Sequence, residues 1–278
     1  MSSTPDARLR EVMDALVTHL HAFVLETRPA PEEFEQAVAF VTRLGQLTND
    51  THNEVVLFFD AIGVSTLICL LNGVGAARSQ SALLGPFYRA GAPAIADGGT
   101  IVGTETPGPA LFVELTVRDD EGRALPDADV EVWQASPVGE YDNQADGPDE
   151  MNLRGRFTTG PDGRVSFWTV RPSGYPVPTH GVVGDLLRAQ RRHPYRPAHL
   201  HFIVAKARFR ALISQVFVGD DPYLETDVVF GVTRPLVGDF IEHRDRPKDA
   251  RVTPPWFSLA YEFVLTPGET RLPVPPIK

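Results

Sequence analysis

Hydrophobic periodicity changes once along this chain, from helical spacing to strand spacing, and that switch limits it to a helical segment followed by an all-β body. Leu9, Val12, Met13, Leu16, Leu20 and Phe23 recur at helical intervals, as do Phe34, Ala37, Val38, Val41 and Leu44, then Val55, Val56, Phe59 and Ile62. Thr4-Pro5 predicts the cap and first turn of the first helix, Pro31-Glu32-Glu33 opens the second, and Gly63 breaks the third. After a connector rich in glycine and proline, residues 85–108, apolar residues alternate in Leu111–Val117, Val130–Trp133 and Gly163–Val170. Apolar runs at Leu200–Val204, Leu212–Val218 and Tyr261–Leu265 continue the strand pattern, and Pro161-Asp162-Gly163 predicts a hairpin. The expected fold is mainly β. An antiparallel β-sandwich over residues 85–278 follows a helical domain over residues 1–84, whose apolar faces predict core packing or a dimer interface.

Two histidines stand two residues apart in the strand Arg196-Pro197-Ala198-His199-Leu200-His201-Phe202. Side chains on a strand alternate between faces, so His199 and His201 share one face and can share a metal. His19 and His21 have the same spacing in a helical pattern, where it sets them about 200° apart. The single cysteine, Cys69, excludes a thiolate zinc cluster and a disulfide framework. Tyr141, in Gly139-Glu140-Tyr141-Asp142, and Tyr175, in the proline-rich Ser173-Gly174-Tyr175-Pro176-Val177-Pro178, are candidate oxygen donors. Phenolates are hard anionic ligands, so two tyrosines with two histidines favour ferric iron over zinc.

The chain resembles the intradiol ring-cleavage dioxygenases in several motifs. They are Leu84-Gly85-Pro86-Phe87-Tyr88, Trp133-Gln134-Ala135 with Gly139-Glu140-Tyr141, Asn152-Leu153-Arg154-Gly155-Arg156-Phe157, Gly174-Tyr175 and Arg196-Pro197-Ala198-His199-Leu200-His201. The resemblance implies one Fe(III) per chain held by Tyr141, Tyr175, His199 and His201, with Arg196 and Gln215 beside it. It also implies that Tyr175 is a displaceable ligand that takes a substrate proton and that Arg196 stabilises developing negative charge. Both atoms of O2 would enter a catechol-type ring, opening it to a muconate-type diacid.

Within that family the details are most similar to the subgroup acting on hydroxyquinol. Phe87 after Gly85-Pro86, the run Gly174–Thr179 and the run Arg192–Pro197 carry this likeness. It implies a pocket walled by Leu57, Leu83, Leu84, Gly85, Pro86, Phe87, Val177 and Pro178, with Asp60 accepting a hydrogen bond from a third ring hydroxyl. His180, where the subgroup often carries aspartate, and the bulky Phe58-Phe59 depart from the pattern. Catechol or a chlorocatechol is the alternative substrate. A homodimer, and lipid at its interface, also follow from the resemblance.

The chain's 278 residues, 42% of them hydrophobic, suffice for a sizeable core. A net charge of −10 argues against nucleic acid or an anionic membrane as partner. No signal peptide or spanning segment is expected, and one unpaired cysteine suits the cytoplasm. Two other classes share the fold expectation: a metal-free sandwich that carries an apolar ligand, and an assembly protein that only dimerises. Neither needs the tyrosine and histidine set.

Overall fold

The computed structural model describes residues 4–50, 52–73, 79–103, 106–144, 151–247, 249 and 252–275. Two compact units divide between Gln46 and Leu47, earlier in the chain than residue 84. The first holds α1 (Ala7–Thr27) and nearly all of α2 (Pro31–Leu47). Asp6, not Thr4, caps α1, because its carboxylate accepts the Leu9 N–H at 2.9 Å. No residue of α1 is buried and only Leu44 of α2 is, so Leu9, Val12, Leu16, Leu20, Phe23, Phe34, Val38 and Val41 are exposed at helical intervals.

The second unit begins with α3 (Glu54–Ala61) and α4 (Val64–Gly73), separated at Gly63 as expected. Then follow β1 (Ala110–Asp119), β2 (Asp129–Gln134), β3 (Arg154–Thr158), β4 (Arg164–Val170), β5 (Tyr175–Pro176), α5 (Val182–Ala189), β6 (Tyr195–Arg196) and β7 (His199–Ala205). β8 (Leu212–Val218), β9 (Val237–Gly238), β10 (Ile241–His243) and β11 (Trp256–Leu265) complete the order. One sheet runs β10-β11-β1-β4, the second runs β3-β2-β7-β8-β9, and β5 pairs with β6 alone.

Two expectations are corrected here. The sheets are mixed rather than antiparallel, since β1 pairs with β11 and β8 with β9 in parallel. Both parallel partners are reached by long excursions of chain, which a parallel pairing requires. The turn at Gly160–Gly163 exists, with Gly163 N–H donating to Gly160 O, but it is not a hairpin. It carries the chain from one sheet to the other, because β3 pairs with β2 and β4 with β1.

Both sheets contribute to one buried cluster that includes Leu111, Val113, Leu115, Val130, Val132, Phe167, Leu200, Phe202, Val204, Val216 and Phe263. All seven residues of β7 are buried. Leu200, Phe202 and Val204 join that core, while Ile203, on the alternate face with His199 and His201, packs with Trp133, Tyr141 and Tyr175. The core face of β7 thereby fixes the register of its histidine face. Phe202, fully buried and 5.1 Å from the Phe263 ring, is the largest side chain on that core face. Phe202→Ala is expected to cost about 3–5 kcal/mol, read from the urea midpoint.

Candidate active site

Sheet register brings the candidate ligands together. His201 lies between Trp133 of β2 and Gln215 of β8, His199 lies opposite Phe217, and Tyr175 lies opposite Arg196. The His199 and His201 Nε2 atoms are 3.0 Å apart, and the Tyr141 hydroxyl is 3.0 Å from His201 Nε2. Tyr141 is also hydrogen-bonded to Tyr175. All four side chains are almost wholly buried, at 1–3% exposure.

The surrounding atoms orient these donors. His199 Nδ1 donates to the Pro197 carbonyl at 2.6 Å, which leaves its Nε2 lone pair turned toward the other donors. The Trp133 ring stacks on His201 at 4.7 Å and Phe87 stacks on Tyr141 at 4.5 Å. Gly85 has a φ of +75°, and a Cβ there would sit 3.2 Å from His201 Cε1, so the Gly-Pro-Phe turn can pass this close only as glycine.

Arg196 is the charged centre of the site. Its Nε and one terminal nitrogen hold Asp227 at 3.2 and 3.1 Å, the same terminal nitrogen donates to Gln215 Oε1 at 3.0 Å, and the other lies 3.3 Å from His199 Nε2. Gln215 in turn donates to the Leu83 carbonyl at 2.7 Å. Burial, and then the positive charge of Arg196, holds the His199 imidazole well below its ordinary pKa. Burial, His199 and Arg196 do the same for His201. Both imidazoles are therefore neutral. Burial pushes the Tyr141 phenol well above its usual value and Tyr175 upward, and Arg196 opposes the shift in both.

Among the described residues no cluster of three or more His, Cys, Asp or Glu is arranged to hold a metal, so any metal site here depends on the phenols. The donors are two hydroxyl oxygens and two imidazole nitrogens with their partners fixed behind them, a set that fits a hard, highly charged cation.

A cavity opens beside Tyr175 and Arg196. Leu57, Asp60, Leu83, Gly85, Pro86, Phe87, Val177 and Pro178 line it, together with His52, Asn53, Val56 and Val229, which sequence reasoning missed. Leu84 is not in that lining and packs instead against the aromatic cluster around Trp133 and Tyr141. Asp60 is 8% exposed. Burial raises its pKa, against a hydrogen bond from Ser65 and the charge of Arg196.

A family profile described as "Dioxygenase" matches residues 83–267, and one described as "Catechol dioxygenase N terminus" matches residues 6–79. The chain belongs to the intradiol ring-cleavage dioxygenases. It is 41% identical to a hydroxyquinol 1,2-dioxygenase of Rhizobium sp. over 95% of this chain and 91% of that one. It is 38% identical to a catechol 1,2-dioxygenase of Candida albicans over 89% and 82% of the two chains. The structure of hydroxyquinol 1,2-dioxygenase from Pseudomonas putida DLL-E4 aligns with a TM-score of 0.89 at 34% identity, covering 96% of this chain and 94% of that one.

In this dioxygenase the largest omission of the sequence reading is Asp227, which carries no motif and lies 31 residues from its partner Arg196. Asp142 was missed as well, although it adjoins Tyr141. It accepts from Arg154 Nε at 2.8 Å and from Arg89 at 3.1 Å. The side chains of Arg196 and Asp227 are 4% and 2% exposed, so removing the acid strands a buried cation. Asp227→Ala is expected to cost about 3–5 kcal/mol in urea unfolding. Removing the exposed Arg271–Glu269 pair through Arg271→Ala is expected to cost less than about 1 kcal/mol.

Proposed function

We propose that this enzyme cleaves hydroxyquinol, benzene-1,2,4-triol, between its two adjacent hydroxyl-bearing carbons, giving 3-hydroxy-cis,cis-muconate or its maleylacetate form. The observation that carries the reading is the convergence of Tyr141, Tyr175, His199 and His201 beside a mostly apolar cavity that contains one buried carboxyl group, Asp60. Likeness to hydroxyquinol 1,2-dioxygenases supports it.

Tyr141, Tyr175, His199 and His201 would hold one ferric ion. When bound, that ion supplies Lewis acidity, which lowers the pKa of a coordinated diol and makes its ring reactive toward O2. As the phenolate that holds the ion, Tyr175 would take a proton from a substrate hydroxyl at its Oη, the atom that Tyr141 and Arg196 hydrogen-bond. Arg196 keeps its positive charge throughout. Although burial opposes that charge, Asp227 and the two phenols hold its pKa above the ordinary value. It is therefore a fixed donor for negative charge that develops on the opened ring. Gln215 keeps Arg196 and His201 in place, and Phe87, Leu57, Val177 and Pro178 exclude water from the ring.

The exposed apolar stripes on α1 and α2 support a homodimer built on the N-terminal helices, where lipid could also lodge. The core shared by the two sheets supports a sandwich architecture. Among the described residues no single helix is long and apolar enough to cross a membrane, and the one cysteine suits the cytoplasm.

Metal analysis of the purified protein is expected to give about one iron per chain and a visible phenolate-to-iron absorption, both lost in His199→Ala. Stoichiometric zinc, with no activity on adding iron, would refute the assignment.

Catechol is the second reading, favoured by the Candida albicans relative. Asp60 separates the two, because a buried partner for a third hydroxyl discriminates against a ring that lacks it. Asp60→Ala is expected to lower kcat/KM for hydroxyquinol by about 1–3 kcal/mol of transition-state binding and to leave catechol turnover little changed. An equal loss on both substrates would assign Asp60 to the scaffold, and a wild-type preference for catechol would favour the second reading.

A further inference from the structure

The cavity wall on α3 has a polar group at each end. Asp60 stands at the inner end, where it feels the charges of Arg196 and Asp227. From Glu54 to Asp60 the helix rises about 9 Å. His52 lies beyond that start, with its side chain 20% exposed and its ring 5.2 Å from the exposed His180. It lines the same cavity as Asp60. Val56, Leu57, Val177 and Pro178, which line it as well, are apolar.

His52 is rigidly held. Its backbone N–H donates to Asn49 Oδ1 at 3.0 Å and its carbonyl accepts from Asn49 N–H at 2.8 Å. Its Nε2 lies 2.6 Å from Glu54 Oε2. A carboxylate can only accept, so Nε2 carries the proton, and in the neutral ring Nδ1 is then an acceptor. Nδ1 has no hydrogen-bond partner among the described residues.

Glu54 is itself fixed, with no exposed surface. Its Oε1 accepts the Val183 N–H at 2.8 Å at the start of α5, where Gly181 supplies no side-chain cap. A Cβ at Gly181 would lie 2.1 Å from Glu54 Oε1, so the approach requires glycine. One buried carboxylate thus ties the α3 wall to the segment that carries Val177 and Pro178, and sets the angle of the His52 ring. Asn53, the other polar residue at this end, uses its side-chain oxygen to cap α3 through Val56 N–H at 2.9 Å.

We propose that His52 is a specificity-determining residue of this pocket, its Nδ1 accepting a hydrogen bond from a neutral donor such as a hydroxyl on the outer edge of the bound ring. This rests on the diol-cleavage reading of the same site and adds a second group that reads the ring substituent.

The test is steady-state kcat/KM for iron-loaded wild type, His52→Phe and His52→Gln on catechol, hydroxyquinol and 4-methylcatechol, the last replacing the third hydroxyl with a methyl. His52→Phe is expected to lower the preference for hydroxyquinol, over 4-methylcatechol and over catechol alike, by about tenfold. His52→Gln, which keeps an acceptor, is expected to retain most of the preference. His52→Leu gives the same measurement if phenylalanine does not fit. A preference unchanged in His52→Phe and His52→Leu, or a parallel loss on all three rings, overturns the proposal and leaves His52 a structural partner of Glu54. If wild type cleaves none of the three diols, the diol-cleavage reading itself fails and takes this proposal with it.

Discussion

The site depends on one buried ion pair. Arg196 and Asp227 sit together where neither charge reaches water, and such a pair is tolerated only when its remaining hydrogen-bonding capacity is also satisfied. Here it is. Asp227 accepts the Gly231 N–H at 2.9 Å in addition to both guanidinium contacts, while Arg196 spends its other donors on Gln215, Tyr175 and the neighbourhood of His199. The pair ties β6 and β8 to the segment after Asp227. It also places a permanent positive charge beside the donor cluster.

That charge works because of what surrounds it. Burial and the guanidinium keep both histidines neutral, and the same burial makes each phenol a reluctant acid. Neutral imidazoles and phenols that give up protons only to a strong partner are a donor set suited to a highly charged cation. The cavity continues this economy of polar groups. Its walls are mostly apolar, and Asp60 on α3 and His52 just before that helix are polar points rather than a general polar lining.

Strand β7 is where stability and function share one element. Its core face carries Leu200, Phe202 and Val204, and its other face carries the two histidines. A one-residue slip would exchange the faces, so the packing that stabilises the body also aims the imidazoles. Trp133 and Gln215, the neighbours of His201 in register, then set its ring from either side.

Much of this was legible in the residues themselves. The periodicity switch separates helices from strands, and the two-residue spacing puts His199 and His201 on one face because strand alternation is a local property of the backbone. The family likeness carried Tyr141, Tyr175, Arg196, Gln215 and Gly85, and the structure adds why Gly85 is glycine, since its turn passes close to His201. Strand partners were not legible. Parallel pairing of β1 with β11, and a turn at Gly163 that crosses between sheets instead of closing a hairpin, depend on which distant strand offers free backbone groups and a matching apolar face. Asp227 and Glu54 were missed for the same reason. Nothing near either residue marks it, and each acquires its role only when folding places a cation or an uncapped helix start against it, 31 and 129 residues away. Local spacing determined which side chains could act together, and only the tertiary structure decided which charges would be buried and so which partners they required.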